Sequence, residues 1–210
     1  MLAHLRKWTI GLGAALVLAA SGSAYSAPKT ILVVGDSLSA EYGLARGSGW
    51  VALLDQKLKA EKLDARIVNA SISGDTTSGG RSRLPALLTQ HKPNIVVLEL
   101  GANDGLRGLP VAAAEDNLRT MVTLAKQNKA RVLLVGIHMP ANYGRAYTER
   151  FTGMYKELSS DLKVPLVPYM LQGVELVPAN FQADRLHPLA NAHPVILNNI
   201  WPQLAPLIKE

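Results

Sequence analysis

The sequence predicts an α/β protein with three layers, in which helices cover both faces of a parallel β-sheet. Short runs rich in Val, Ile and Leu alternate along the chain with longer segments whose apolar residues recur every three or four positions. Strands of such composition are typical of parallel sheets that are buried on both faces. About 185 residues remain once the amino-terminal segment described below is set aside, which is enough for one domain with a sizeable core.

The predicted elements follow one another regularly. Strand-like runs are predicted at residues 30–34, 65–71, 94–100, 131–137 and 164–168. Helical segments are predicted over 49–62, 111–129 and about 145–162, and the runs RSRLPALLTQH and VILNNIWPQLAPLI complete the chain. In the first helix, Val51, Leu54 and Leu58 recur at three- and four-residue steps. Right-handed crossovers leave few topologies, and five strands fit the flavodoxin-like order 2-1-3-4-5.

The chain begins with a basic stretch, a 12-residue apolar run over residues 9–20 and a group of small residues. This pattern is typical of a secretory signal peptide, so we expect residues 1–26 to be removed by cleavage after Ala24 or Ser26. The alternative, an uncleaved anchor helix, would need about 20 apolar residues to span a bilayer. We therefore predict an exported bacterial protein, periplasmic or secreted, with a mature domain over 27–210.

The composition argues against several functions. Cysteine is absent, so a cysteine nucleophile, thiolate metal sites and disulfides are excluded. Removal of the signal peptide takes away Arg6 and Lys7 and lowers the formal charge from +6 to +4. No run of Lys and Arg with interleaved aromatic residues is present, so we expect no nucleic-acid partner.

Four turns carry polar and reactive side chains at the same predicted edge of the sheet, where ligands of open parallel sheets bind. They are GDSLS (35–39), SISGDTTSGG (71–80), GANDGLRG (101–108) and DRLHP (184–188). The first three follow strands 1, 2 and 3, and the last ends a longer excursion after strand 5. The sequence therefore predicts a site at this edge.

Asp184 and His187 stand three residues apart, so one turn of chain can bring the carboxylate against the imidazole. A carboxylate on one ring nitrogen fixes the tautomer, while the other nitrogen faces a substrate. Ser37 lies on a tight turn after a predicted central strand, where such a histidine can remove its proton. Each feature alone has an ordinary structural interpretation: a surface salt bridge for the pair, and a helix N-cap or an anion-binding turn for GDSLS.

A serine nucleophile needs hydrogen-bond donors for the oxyanion that forms as it attacks. The backbone N–H of Ser37 is one candidate. Gly74 allows close approach of a second N–H, and the Asn103 amide lies on a short loop where it has few structural duties. Together these groups predict ester hydrolysis through an acyl-serine intermediate.

Two other functions remain as alternatives. A metal-dependent phosphoesterase would use Asp36, Asn103, Asp104 and His187 on two cations, but no D-x-H pair follows the first strand. A non-catalytic exported module with an anion-binding turn at GDSLS would leave the Asp184–His187 pair without a purpose. We predict no metal and no cofactor.

The four blocks, in this order and at these spacings, resemble those of the GDSL, or SGNH, hydrolases. The stretches GDSLSAEYG, VNASISGDT, ELGANDGLRGL, MPANYG and HPLANAHP are further similar to the bacterial periplasmic group of multifunctional thioesterase I, protease I and lysophospholipase, or arylesterase. The resemblance covers essentially all of the mature chain. It implies the SGNH-hydrolase fold and hydrolysis of carboxylic esters and thioesters of short to medium acyl chains, aryl esters, acyl-CoA or lysophospholipids.

The resemblance also implies residue roles. Ser37 is the nucleophile, His187 the general base and then acid, and Asp184 the group that orients it. The oxyanion donors are the N–H groups of Ser37 and Gly74 and the amide of Asn103. Glu41 departs from the family pattern, where a small residue is expected, and a carboxylate near the nucleophile turn would repel anionic substrates such as acyl-CoA.

Two loops, 106–111 and 139–144, mix Gly or Pro with apolar residues and are predicted to form the walls of an acyl pocket. The predicted contacts are Leu106, Leu109, Pro140 and Tyr143. Other polar residues are assigned structural roles. His138 ends strand 4, where a packed or solvent-facing role is favoured over the alternative that it lines the cleft, and His193 faces solvent or caps a turn. Ser39 starts a helix, Asp36 orders its own turn, and Asp75 and Asp104 hold their loops through Asx-type hydrogen bonds.

Overall fold

The computed structural model describes residues 27–209; the predicted signal peptide lies outside the described residues. Five parallel strands form one sheet in the order β2-β1-β3-β4-β5, which confirms the predicted topology. The strands are β1 (Lys29–Gly35), β2 (Ala65–Asn69), β3 (Ile95–Glu99), β4 (Arg131–Val135) and β5 (Leu166–Val167). The order of the strands reverses between β1 and β3, and such a reversal creates the crevice in which open α/β sheets bind ligands.

Helices cover both faces of the sheet, which confirms the three-layer architecture. They are α1 (Trp50–Ala60), α2 (Thr77–His91), α3 (Ala102–Leu106), α4 (Val111–Gln127), α5 (Arg145–Leu162) and α6 (His193–Lys209). On one face α1 packs against α6, and on the other α4 lies between α2 and α5. The five long helices therefore run back across the sheet and begin at the edge where the strands end, whereas the short α3 stays at that edge.

The core consists of the central strands and one apolar stripe of each long helix. Every residue of β3 is buried, as the continuous apolar run predicts. Trp50 of α1 and Phe151 and Tyr155 of α5 are among the largest fully buried side chains. Burying an apolar side chain of this size stabilises the fold by about 1.5–3 kcal/mol. The Tyr155 hydroxyl, although buried, donates to the carbonyl of Leu100 at 2.8 Å.

Most boundaries differ from the prediction by one or two residues, and the larger differences lie in three places. Helix α2 begins at Thr77, earlier than the run RSRLPALLTQH, because the Thr76 side chain accepts the N–H of Gly79 and caps the helix. The predicted turn 101–108 contains the short helix α3. Strand β5 is reduced to two residues, because Pro165 and Pro168 flank it and have no N–H to donate to a ladder.

Candidate active site

Ser37, His187 and Asp184 form a continuous chain of hydrogen bonds. The distance from His187 Nε2 to Ser37 Oγ is 2.9 Å, although the two residues are 150 positions apart in the sequence. His187 Nδ1 lies 2.7 Å from Asp184 Oδ2. The loop after β1 supplies the serine, and the excursion between β5 and α6 supplies the other two residues. Folding of the sheet thus brings together the residues that the sequence analysis singled out.

The Asp184 carboxylate is fixed by its own turn. Its Oδ1 accepts the N–H groups of Leu186 at 2.9 Å and His187 at 3.0 Å. Arg185, between Asp184 and Leu186, has φ of +59°, which lets the chain turn back on the carboxylate. Partial burial opposes ionisation, but these hydrogen bonds and the one from the His187 ring lower the pKa of Asp184 to about 2. The carboxylate is therefore ionised at neutral pH.

The loop that carries His187 is held on two sides. The Gln182 N–H donates to the carbonyl of His187 at 2.8 Å, and Phe181 forms an antiparallel bridge with Pro188. The Gln182 side chain donates to the carbonyl of Tyr42 at 2.9 Å. The Tyr42 ring in turn lies 4.5 Å from the His187 ring, measured between centroids. Tyr42 therefore joins the histidine loop to the serine loop.

Ser37 lies in a tight turn that Asp36 organises. Asp36 Oδ1 accepts the N–H of Leu38 at 3.0 Å, and the Asp36 carbonyl accepts the N–H groups of Ser39 and Ala40 at 3.2 and 3.0 Å. This confirms that Asp36 orders its own turn. In the described part of the chain the Ser37 N–H has no acceptor, so it is available to a bound ligand.

Gly74 and Asn103 lie on the neighbouring loops. Gly74 has φ of +80°, a conformation that glycine adopts without strain, and its N–H has no acceptor within residues 27–209. Asn103 Nδ2 donates to the carbonyl of Asp75 at 2.9 Å and to Asp36 Oδ2 at 3.2 Å. The amide of Asn103 is thus held between the loops that carry Ser37 and Gly74.

Helix α3 can present Asn103 only because Gly101 precedes it. Gly101 has φ of +125°, and a Cβ atom there would collide with the Tyr155 hydroxyl. Asp104 accepts from the N–H of Thr77 at 2.8 Å and from its hydroxyl at 2.6 Å. Asp104 therefore fastens α3 to the start of α2: it holds the segment that carries Asn103, but through Thr77 and not through the predicted local hydrogen bond of an Asx turn.

Two carboxyl groups are buried beneath the serine turn. Glu99 Oε2 accepts the Ser39 hydroxyl at 2.7 Å and the Asp36 N–H at 3.4 Å. Burial, together with the neighbouring Asp36, raises the pKa of Glu99 well above its usual range, against the opposing effect of these hydrogen bonds. Burial likewise raises the pKa of Asp36 to about 6, although hydrogen bonds and the nearby His187 partly oppose this.

Ser39 belongs to this buried network. It donates to Glu99 and accepts the indole N–H of Trp50 at 3.1 Å. No helix begins at this turn, since α1 starts only at Trp50. The expectation that Ser39 is a helix-start hydroxyl is therefore corrected: it ties the serine turn to the core.

A cavity of about 680 Å³ opens beside Ser37. Most of its wall is apolar, and its lining includes Leu38, Ala102, Leu106, Ile137, Met139, Pro140, Leu171, Phe181 and Leu186. Leu106 and Pro140 were predicted contacts and do line it, whereas Leu109 and Tyr143 do not. The Tyr143 hydroxyl instead donates to the carbonyl of Leu106 at 2.9 Å, so Tyr143 supports the wall from behind.

His138 lies on the wall of this cavity, where the sequence analysis favoured a packed or solvent-facing role. Its ring stacks on Tyr169 with centroids 4.0 Å apart and planes within 8°. Burial lowers the pKa of His138, partly offset by Glu175. Sequence reasoning missed Tyr169, Phe181 and Leu186, since they follow β5 in a segment without helical or strand periodicity.

Glu41 does not point into the cavity. Its carboxylate accepts the N–H groups of Gly47 at 3.0 Å and Gly49 at 2.7 Å, at the end of the loop before α1. Because these bonds occupy the carboxylate, and because Glu41 is absent from the cavity wall, the predicted repulsion of anionic substrates loses its basis.

His193 is only 2% exposed, so of its two predicted roles, facing solvent and capping, the first is wrong. Its Nδ1 accepts the N–H of Trp50 at 3.0 Å and so caps the start of α1 from the start of α6. Burial lowers the pKa of His193, partly offset by Glu41, and so favours the neutral ring that can accept this N–H. Asp75, by contrast, accepts the N–H of Thr76 at 3.0 Å, as predicted, and also pairs with Arg83 at 2.8 Å.

Within residues 27–209, no three His, Cys, Asp or Glu side chains are arranged to share a metal ion. Asp104, one of the ligands that a metal-dependent phosphoesterase would need, is occupied by Thr77. The described residues therefore offer nothing that favours this alternative.

Comparison with known proteins agrees with this geometry. Residues 33–194 match the model of the GDSL-like lipase/acylhydrolase family. The chain belongs to this family. Esterase TesA of Pseudomonas aeruginosa is 51% identical over 183 residues, which are 87% of this chain and 91% of that protein. Thioesterase 1/protease 1/lysophospholipase L1 of Escherichia coli is 44% identical over 183 residues, which are 87% of this chain and 86% of that protein.

Among solved structures, the psychrotrophic esterase EstA from Pseudoalteromonas sp., in a form inhibited by monoethylphosphonate, has a TM-score of 0.82 and 40% identity. The match covers 87% of this chain and 100% of that chain. The predicted family, the SGNH-hydrolase fold and the hydrolase class are confirmed.

Proposed function

We propose that this protein is a serine esterase that hydrolyses carboxylic esters and thioesters through an acyl-serine intermediate on Ser37. The observation that carries the proposal is the hydrogen-bonded chain from Asp184 through His187 to Ser37, at 2.7 and 2.9 Å, beside an apolar cavity. A serine with a base and an orienting carboxylate at these distances is the arrangement that activates a hydroxyl for acyl transfer.

In the acylation step, Ser37 Oγ forms a bond to the carbonyl carbon of the ester while His187 Nε2 takes the hydroxyl proton. For His187 Nε2 to accept, Nδ1 must carry a hydrogen, which it donates to Asp184 Oδ2. The ionised Asp184 then stabilises the imidazolium without itself taking the proton. The low pKa of Asp184, about 2, suits this role.

The negative charge of the tetrahedral intermediate needs donors that are already in place. The N–H groups of Ser37 and Gly74 are free of protein acceptors in the described residues. Asn103 Nδ2 uses both hydrogens in the free protein, and the bond to Asp36 is the longer at 3.2 Å. We assign this N–H to the oxyanion, which would compete with Asp36 for it.

Collapse of the intermediate breaks the bond to the leaving oxygen or sulfur, and His187 returns its proton to that atom. Deacylation repeats the sequence with water: His187 takes a proton from water, the hydroxide adds to the acyl carbon, and Ser37 leaves with the proton. The products are a carboxylic acid and an alcohol or thiol, and no cofactor takes part in any step.

The cavity supports acyl groups of short to medium length as substrates. A largely apolar wall around about 680 Å³ suits an alkyl or aryl chain more than a polar one. The names of the relatives include esterase, thioesterase and lysophospholipase, and we extend these ester and thioester classes to this chain. Arg185, on the cavity rim, would favour leaving groups that carry a phosphate.

We also propose that the protein acts outside the bacterial cytoplasm, in the periplasm or secreted, because residues 1–26 have the pattern of a signal peptide. No helix in residues 27–209 is long and apolar enough to cross a membrane.

Hydrolysis of p-nitrophenyl butyrate tests the proposal. We expect turnover that a fluorophosphonate stops and that EDTA leaves unchanged. Replacement Ser37→Ala should abolish turnover while the folded spectrum is kept, and Ser48→Ala, on an exposed turn, is the matched control. Full activity in Ser37→Ala would refute the nucleophile, and loss of wild-type activity in EDTA would favour a metal-dependent enzyme.

A further inference from the structure

The large apolar side chains that stay exposed in residues 27–209 all lie at the edge of the sheet where the strands end. We call this set the apolar rim. Its members are Tyr42, Ile72, Leu109, Leu176, Val177, Leu186, Leu189 and Val195. Apolar side chains exposed singly are normal on a soluble protein, but a one-sided distribution marks an interaction surface.

Contacts place the members of the rim at this edge. Tyr42 touches the ring of His187. The N–H of Ile72 donates to the carbonyl of Gly35, the last residue of β1, at 3.0 Å. Leu109 follows α3, and Val195 lies in the first turn of α6, which begins at the same edge.

The rim is continuous with the cavity beside Ser37. Leu176 is 77% exposed and Val177 is 46% exposed, and their chain neighbours Glu175 and Pro178 both line the cavity. Leu186 belongs to the rim and to the cavity wall at once. An acyl chain that leaves an apolar environment at the rim would therefore meet apolar side chains along its path to the serine.

The opposite edge of the sheet is different. Four exposed lysines in left-handed conformation end the helices there: Lys62, Lys92, Lys129 and Lys163. In the described residues, no large apolar side chain is exposed on this edge. The lysine edge can attract an anionic surface from a distance, but it has nothing to insert into one.

We propose that the apolar rim docks on the surface of a lipid aggregate, a bilayer or a micelle, so that the acyl ester passes from lipid into the cavity without crossing water. The proposal rests on the proposed function, since an acyl-ester substrate gives the docking its purpose. Arg46 and Arg185 lie exposed on the same two loops as Tyr42 and Leu186, and neither has a carboxylate partner in the described chain. Two unpaired guanidinium groups beside an apolar surface complement the phosphates that lie above the acyl chains of a lipid layer.

Sedimentation with sucrose-loaded vesicles of palmitoyl-oleoyl-phosphatidylcholine tests the docking in 0.5 M salt, where attraction by lysines is screened. We expect the wild-type protein to bind and the double variant Leu176→Ser, Val177→Ser to bind at least tenfold more weakly. Neither residue lines the cavity, so hydrolysis of soluble p-nitrophenyl butyrate should stay within twofold of wild type. The matched control Lys62→Ser, Lys129→Ser, on the opposite edge, should bind as wild type does.

Three results would overturn the docking: no wild-type binding at 0.5 M salt, equal binding by the Leu176/Val177 double variant, or a wild-type dimer that this variant converts to a monomer in sedimentation velocity. The last result would mean that a second copy of the chain covers the rim. Failure of the proposed function is a separate outcome, because it would appear as absent hydrolysis of p-nitrophenyl butyrate whatever the vesicles show.

Discussion

The two edges of the sheet differ in how their backbone groups are hydrogen-bonded. At the edge where the strands begin, α1, α4 and α5 are each followed by a lysine in the left-handed backbone conformation. The residue after each lysine donates its N–H to a carbonyl in the last turns of the helix: Leu63 to Leu58, Ala130 to Ala125, and Val164 to Ser159. This pattern satisfies the last carbonyls of each helix. At the other edge, backbone N–H groups such as those of Ser37 and Gly74 are left without protein acceptors in the described residues.

The two edges also differ in the buried groups that lower the stability of the fold. The edge where the strands end contains the buried carboxyl groups of Asp36 and Glu99, whose pKa values are both raised by burial. Such groups stabilise little, because leaving water costs each of them several kcal/mol before any pairing. The lysine edge carries no buried carboxyl group in the described residues. Substitutions where the strands end should therefore lower catalysis, whereas substitutions at the lysine edge should change stability alone.

The largest effect should come from Asp184→Asn. An asparagine keeps the shape but offers a neutral oxygen or an N–H to His187, so the tautomer with a free Nε2 lone pair is lost or weakened. We expect kcat/KM for p-nitrophenyl butyrate to fall about 10⁴-fold while the protein stays folded. Asp55→Asn, in an exposed ion pair on α1, is the control. A loss of less than tenfold would mean that Asp184 does not orient the base.

Asn103→Ala should have the next largest effect. Removal of one oxyanion donor lowers kcat by roughly 10²–10³-fold, because it acts where charge develops in the transition state. The control is Asn128→Ala, since Asn128 donates only to the carbonyl of Leu124 at the end of α4. Steady-state kinetics measure kcat for both variants. An equal loss of kcat in both variants, or no loss in Asn103→Ala, would mean that Asn103 is not an oxyanion donor.

Asp36→Asn should lower kcat/KM by about tenfold, the equivalent of one lost hydrogen bond. The oxygen of the new amide can still accept the N–H of Leu38. The N–H₂ group of the new amide then faces the N–H₂ group of Asn103, and repulsion between these two donors misaligns Asn103. Asp36 is thus a positioning residue.

The same variant has a second readout in its pH dependence. Since the pKa of Asp36 is raised from 3.8 to about 6, the stability associated with it is fully present below about pH 4 and is lost as the pH rises through about 6. A pKa difference of this size corresponds to at most about 3 kcal/mol. Urea unfolding at pH 4.5 and 7.5 should show the variant gaining stability relative to wild type as the pH rises. A stability difference between the two proteins that does not change with pH would contradict the assignment.

The smallest effect belongs to the lysine edge. Lys129 has φ of +63°, where glycine is free of the strain that a Cβ atom brings. Because glycine also costs more entropy on folding, Lys129→Gly should stabilise the protein by only about 0.5 kcal/mol. Chemical unfolding measures the gain, and kcat/KM should not change. A drop in kcat/KM would show that the two edges are coupled.

The fold was predictable because its signals are local. The buried strands are continuous apolar runs, and α5 was expected over the 145–162 range that it occupies. The order of the strands followed from the handedness of crossovers. Helix α3 was not predicted, because a five-residue helix containing Gly105 has no periodicity to detect.

The residues of the candidate site could be predicted only where they belong to short sequence motifs. Ser37, Asp184 and His187 were identified because a serine on a post-strand turn and a closely spaced Asp–His pair together suit acyl transfer better than any structural role. The partners of Glu41 and His193 were not predicted, since the fold brings each pair together: Gly49 with Glu41, and Trp50, 143 positions away, with His193. No local sequence pattern predicts such a partner.

The central claim is that the edge where the strands end holds a single activated serine. Mapping the site of covalent modification tests it most directly: the protein is inactivated with one equivalent of a fluorophosphonate, digested, and analysed by mass spectrometry. We predict one adduct per chain, on Ser37, with labelling at least 10²-fold slower in His187→Ala. An adduct on Ser39 or Ser71, or full inactivation without an adduct on Ser37, would contradict the claim.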